Sequence, residues 1–314
     1  MSKNILPRSV DLDFSAFESQ FREFVVQAVG HPAFVSRNRF DVDKLACERD
    51  RIHRIREYQS HESVGASVQA RAAVRVNSSR RGAESQPPPC NLEAVSSSIQ
   101  SFFLEGPAGR LEALLNRGTS DATHAALVAH PHPLFGGTLH NKVVFNAMKA
   151  LNAFGFPVLR FNFRGTGLSE GKHDHGNGEL DDIHKALDWL HQEFSLPLIF
   201  AGFSFGAAVG LRASYADARV DALIGLGLPV ASVNNRNYDF SFLRNCPKPK
   251  LFVSGEFDQF GSPAQLQQAV AAFAEPKQLI LITGGDHFFE GHLPEMRTSV
   301  EAWVQRLFQL APKP

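Results

Sequence analysis

Four kinds of residue in this chain could together cleave an acyl bond. Ser204 stands in Gly202-Phe203-Ser204-Phe205-Gly206, between the apolar run Leu198 to Ala201 and the stretch Ala207 to Ala213. That order predicts a strand, a sharp glycine-flanked turn and a helix, the setting in which a serine hydroxyl is thrust out as a nucleophile. A serine hydroxyl reacts only when a base takes its proton. His287, in the glycine-rich loop Gly284-Gly285-Asp286-His287 after an apolar run, is the candidate base. Asp258, two residues beyond Glu256 in another such loop, is the candidate orienter of that imidazole, with Glu256 as its rival. Asp286 adjoins His287, so its side chain diverges from the imidazole and suits a loop cap.

The fourth kind is backbone. A tetrahedral intermediate needs two N–H donors for its oxyanion. The amide of Phe205, directly after the serine, is one candidate. The second is sought in His130-Pro131-His132-Pro133-Leu134-Phe135-Gly136-Gly137-Thr138. Pro131 and Pro133 carry no N–H, which leaves His132, Leu134 or Phe135. A metal site on His130, His132 and His140 is the competing reading of this loop, and no accompanying carboxylate spacing supports it. The glycines of Arg160 to Gly171 raise the possibility of a phosphate cradle, but neither the P-loop lysine nor the full G-x-G-x-x-G spacing is present. A structural role is expected there, with Arg164 paired to a carboxylate.

The elements that must position these groups follow from periodicity. Strands are expected at 99–104 and 111–115, joined by the turn Gly106 to Gly109, and then at 125–130, 157–163, 197–203, 222–228, 250–254 and 278–283. Helices are expected at 141–154, 178–194, after Ser204, at 263–274 and at 293–310. Strands that are apolar throughout and alternate with helices predict a parallel sheet covered on both faces, here preceded by an antiparallel hairpin. Such sheets carry their sites at the carboxyl ends of the strands. Ser204, Asp258 and His287 all fall at such ends, in the chain order Ser, Asp, His.

With these residues in place, the chain resembles a group of bacterial α/β-hydrolase superfamily proteins, capless and esterase-like, near the dienelactone-hydrolase and acyl-peptidase branches. The resemblance is carried by the 130–138 loop with Asn141 to Val144, by Arg160 to Gly171, by Gly202 to Gly206 and by Asp286 to Phe289, and it covers roughly residues 95–312. It implies an α/β-hydrolase fold and a triad of Ser204, Asp258 and His287. It implies little about substrate.

Composition narrows the rest. The chain has 314 residues, 43% of them hydrophobic and 20% charged, with a formal net charge of +0. That balance argues against a nucleic-acid binder or a polybasic membrane binder. No leader-like or membrane-length apolar run is seen, and the three cysteines form no C-x-x-C pair, so a cytoplasmic protein with no metal and no cofactor is expected. Residues 1–59 are read as an N-terminal segment with an amphipathic helix around Phe14 to Val25. Residues 60–95 read as a flexible linker ending in Pro87-Pro88-Pro89, and 96–314 as the hydrolase domain. Roughly 20 residues separate the strands at 222–228 and 250–254, too few for a helical cap. Phe135, Phe203, Tyr238, Phe257 and Phe288 are expected to line an apolar pocket. The favoured function is cleavage of small carboxylic esters, with thioesters and small amides sharing the mechanism. The alternatives are an inert hydrolase-fold binding protein, or a non-ester hydrolase or lyase on the same scaffold. No feature specifies an oligomeric state.

Overall fold

The apolar runs become the strands of one eight-stranded sheet. In the computed structural model, residues 99–231 and 237–313 are described. The helix expected at Phe14 to Val25, the 60–95 linker, Cys47 and Cys90 lie outside the described residues. The strands are β1 (Ile99–Gly106), β2 (Gly109–Asn116), β3 (Ala125–Ala129), β4 (Val158–Phe161), β5 (Leu198–Phe203), β6 (Val220–Leu226), β7 (Lys250–Gly255) and β8 (Lys277–Ile282). Their order across the sheet is β1-β2-β4-β3-β5-β6-β7-β8. The hairpin β1–β2 is antiparallel and β2 pairs antiparallel with β4. The remaining pairs are parallel. This is an α/β-hydrolase architecture, mostly parallel and covered on both faces.

The helices are α1 (Lys142–Asn152), α2 (Asn177–Phe194), α3 (Phe205–Ser214), α4 (Pro263–Ala271) and α5 (Leu293–Phe308). Alternation along β5 shows how two cores are built from one strand. Leu198 and Phe200 join the core under α2 and α3, whereas Ile199, Ala201 and Phe203 join the core under α1 and α5. Every β5 residue is buried, as a central parallel strand requires. α3 lies so close to β5 that a Cβ at Gly210 would fall 1.9 Å from the Phe200 ring. That contact packs the middle of α3 directly on the middle of β5, which leaves room for only a tight turn at Ser204 between them. No helix among the described residues is long and apolar enough to cross a membrane.

Candidate active site

The turn between β5 and α3 is sharp because its flanks are glycines. A Cβ at Gly202 would lie 2.6 Å from the Gly206 carbonyl, and one at Gly206 only 2.4 Å from the His130 carbonyl oxygen. No larger residue fits either position without moving backbone. Ser204 itself has φ 54° and ψ −116°, a conformation that costs a non-glycine residue about 1–3 kcal/mol. Its amide donates to the Leu226 carbonyl at 2.9 Å, so β6 holds the strained residue in place. The side chain remains partly exposed at the carboxyl edge of the sheet.

Two further loops at the same edge deliver the other groups. Asp258 follows β7 and is 3% exposed; His287 follows β8 and is 2% exposed. His287 Nδ1 lies 2.9 Å from Asp258 Oδ2, and His287 Nε2 lies 3.0 Å from Ser204 Oγ. An ionised carboxylate only accepts, so the ring proton belongs on Nδ1 and Nε2 is left to accept from the serine hydroxyl. The other Asp258 oxygen accepts the Phe260 amide at 2.8 Å, which fixes the carboxylate from behind. The imidazole lies among Phe260, Phe203 and Phe288, with ring centroids 4.5, 5.0 and 5.2 Å away. Such a surrounding keeps water away and strengthens each hydrogen bond within it. A hydroxyl, an imidazole and a carboxylate in this sequence can pass a proton off the hydroxyl as it attacks an acyl carbon.

The neighbours named from sequence take other jobs. Glu256 accepts the Gly284 amide at 3.0 Å. Asp286 caps its loop by accepting the amides of Phe288 and Glu290. Arg164 pairs with Asp182 on α2, at 2.8 Å, with Asp182 fully buried. That hydrogen bond raises the guanidinium pKa and keeps it charged. His130 is fully buried, its Nδ1 on the Pro131 carbonyl at 2.6 Å and its Nε2 accepting the Phe163 amide at 3.0 Å. Both ring nitrogens are thus engaged with backbone, and burial lowers its pKa to about 4. Among the described residues no group of three His, Cys, Asp or Glu could hold a metal ion.

The residues expected around the site take several different positions. The Leu134 amide donates to His132 Nδ1 at 3.2 Å, and the Phe135 amide donates to the His132 carbonyl at 3.1 Å. Both amides are thus engaged at the 3-10 turn over Pro133–Phe135. Phe203 is not a pocket wall. It is 0% exposed and supports the His287 ring from within the sheet, because β5 alternation turns it toward α1 and α5. Tyr238 is half-buried and packs against the core under α2 and α3. Leu134, Phe135, Phe257 and Phe288, by contrast, are 54, 40, 68 and 48% exposed, an apolar rim on three of the loops around Ser204. The contact of Phe260 with His287 depends on the turn after Asp258 and has no signal in residue spacing.

Comparison with known proteins agrees with this geometry. Residues 124–310, more than half of the chain, match the family model for the alpha/beta hydrolase domain. The chain belongs to the alpha/beta hydrolase family. It is 36% identical over 213 residues to an uncharacterized protein of Rickettsia prowazekii, covering 66% of this chain and 89% of that one. Among solved structures, an alpha-beta serine hydrolase homologue from Coxiella burnetii is 34% identical, with a TM-score of 0.60, covering 65% of this chain and 97% of that one. A Xanthomonas campestris protein described as an a/b serine hydrolase without lid is 31% identical, with a TM-score of 0.60, covering 69% of this chain and 98% of that one. These likenesses support hydrolase activity.

Proposed function

We propose that the protein is a serine hydrolase that cleaves carboxylic esters through an acyl-enzyme on Ser204. The observation that carries this reading is the unbroken run of hydrogen bonds from Asp258 through His287 to Ser204. Ser204 Oγ attacks the ester carbonyl as His287 Nε2 takes its proton. The oxyanion is held by the amide of Phe205, at the first position of α3, where helix amides lack intrahelical partners. The amide of His132 is the second donor, since Leu134 and Phe135 spend theirs inside their own turn. His287 then hands its proton to the departing alkoxide and the carbonyl re-forms. Water enters, loses a proton to His287 and releases the acid, and Ser204 regains its hydrogen. Asp258 keeps the ring oriented and steadies the imidazolium throughout. No step calls for a cofactor. A serine at the elbow argues against the carboxylate-nucleophile chemistries of dehalogenases and epoxide hydrolases.

The rim points to the substrate. Four apolar side chains at the mouth suit an acyl or alcohol group that is itself apolar. The described part of the β6–β7 connection holds one 3-10 turn, Ser241–Asn245, with Phe240 and Leu243 buried in the core. That arrangement, and the likeness to a relative described as lacking a lid, favour an open site. A panel of p-nitrophenyl esters from acetyl to octanoyl tests the reading, with fluorophosphonate labelling beside it. Ser204→Ala should abolish both turnover and labelling, and KM should fall as the acyl chain lengthens. Full activity in Ser204→Ala would refute the assignment.

A further inference from the structure

We propose that His173, anchored by Glu179, is a positioning residue for the oxyanion hole; this rests on the serine-hydrolase reading above. Glu179 lies in the first turn of α2 and is fully buried. A buried carboxylate is tolerated only when its oxygens are met. Here one oxygen accepts the Asp174 amide at 2.9 Å and the other the Gly176 amide at 2.8 Å. The third neighbour is His173, whose Nδ1 is 2.8 Å from Glu179 Oε1 and whose side chain is 7% exposed. The carboxylate thus gathers the loop 173–176 onto the start of α2. Its next turn is secured separately, by the Arg164–Asp182 pair.

What the imidazole touches gives the pair its meaning. The His173 ring lies 4.9 Å from the His132 ring and 5.6 Å from the Phe205 ring, and those two lie 4.7 Å from each other. His132 and Phe205 are the residues whose amides are assigned to the oxyanion. They come from different segments, the loop after β3 and the start of α3, and no covalent link sets the distance between them. Preorganised donors lose much of their effect when displaced by a fraction of an ångström. His173 is the third body of this ring triangle, and it is fixed from outside by Glu179. Both of its ring nitrogens are buried and neither makes a hydrogen bond, so the ring is held by the close approach of Nδ1 to the Glu179 carboxylate and by packing. His173 therefore sets the spacing of two donors without touching substrate.

The test uses the full chain and two substitutions. His173→Phe keeps a ring against His132 and Phe205 but removes the polar contact of Nδ1 with the Glu179 carboxylate. Glu179→Gln removes the anchor's charge while leaving His173. In each, kcat on a short ester should fall about tenfold or more, a fraction of the loss from deleting an oxyanion donor outright. KM should stay within about twofold of wild type, and affinity for phenylboronic acid, whose adduct places an oxygen between the donors, should fall with kcat. Amide exchange over residues 130–137 should quicken in both variants, and that readout needs no turnover. Folded variants with wild-type kcat and unchanged exchange would overturn the proposal; if His173→Phe does not fold, Glu179→Gln decides alone. Activity surviving in Ser204→Ala would instead sink the serine-hydrolase reading, and the exchange measurement would still judge His173.

Discussion

Asp258 never meets the substrate in the scheme above, and its surroundings suit the orienting task proposed for it. It is buried, one oxygen is taken by the Phe260 amide, and the other faces His287 Nδ1. An asparagine of the same shape could present its NH₂ to Nδ1 and so favour the tautomer with the proton on Nε2, the nitrogen that must accept from Ser204. Asp258→Asn should therefore leave the thermal midpoint near that of wild type and lower kcat on the order of 10³- to 10⁴-fold. Steady-state kinetics beside a melting curve checks both halves; a loss under tenfold would mean that the carboxylate is dispensable. The same scale separates what could be read from residue order and what could not. That Ser204, Asp258 and His287 meet is legible because each stands in a loop that follows an apolar run. Residue order does not show that Phe203 is buried within the sheet, because β5 is apolar on both faces and an all-apolar strand does not reveal which face a given side chain takes. Nor does it show that the Leu134 and Phe135 amides are engaged, because the 3-10 turn that takes them up follows from Pro133 and the His132 side chain, not from any spacing in the motif.

At the scale of elements, the site depends on loops being tied across the sheet edge. His130 does much of this: from the end of β3 its Nε2 accepts an amide just past β4, and its own carbonyl lies against Gly206. Burial lowers this imidazole from the ordinary 6.5 to about 4. Between those values the unfolded chain takes up a proton that the folded chain refuses. The stabilising contribution is thus whole above pH 6.5 and drains away as pH falls toward 4, by on the order of 3 kcal/mol in all. Urea unfolding of wild type and His130→Gln from pH 7.5 to 4 should show a shallower pH dependence in the variant; identical slopes would remove His130 from the account. The ties made by Glu179 were the least legible elements. A glutamate three residues after Gly176 is the spacing of a capping box, and it marks the start of α2. Nothing in that spacing announces that His173 will reach Phe205, because the contact needs the sheet to bring the loop after β4 over α3.

The whole molecule was legible to a greater degree. β3, β4, β5 and β7 are buried along their whole length of four to six mostly apolar residues, and helical periodicity follows most of the strands. Those two signals leave little freedom in a doubly covered sheet. The order of strands in space, with β4 and β3 exchanged relative to the chain, is set by crossovers and was not written in any single segment. The turn that presents Ser204 also has a meaning for the molecule in its entirety. At ordinary positions glycine is the less stable choice beside alanine, by about 0.5–1 kcal/mol. At φ 54° and ψ −116° that ranking should invert, with Ser204→Gly more stable than Ser204→Ala by roughly 1–2 kcal/mol in chemical denaturation; an alanine variant at least as stable would show that the kink stores nothing. This chain keeps a residue at 204 that its backbone would trade for the smallest one available. Durability and reactivity pull against each other at a single Cα, and drift toward sturdier variants would silence the protein there first.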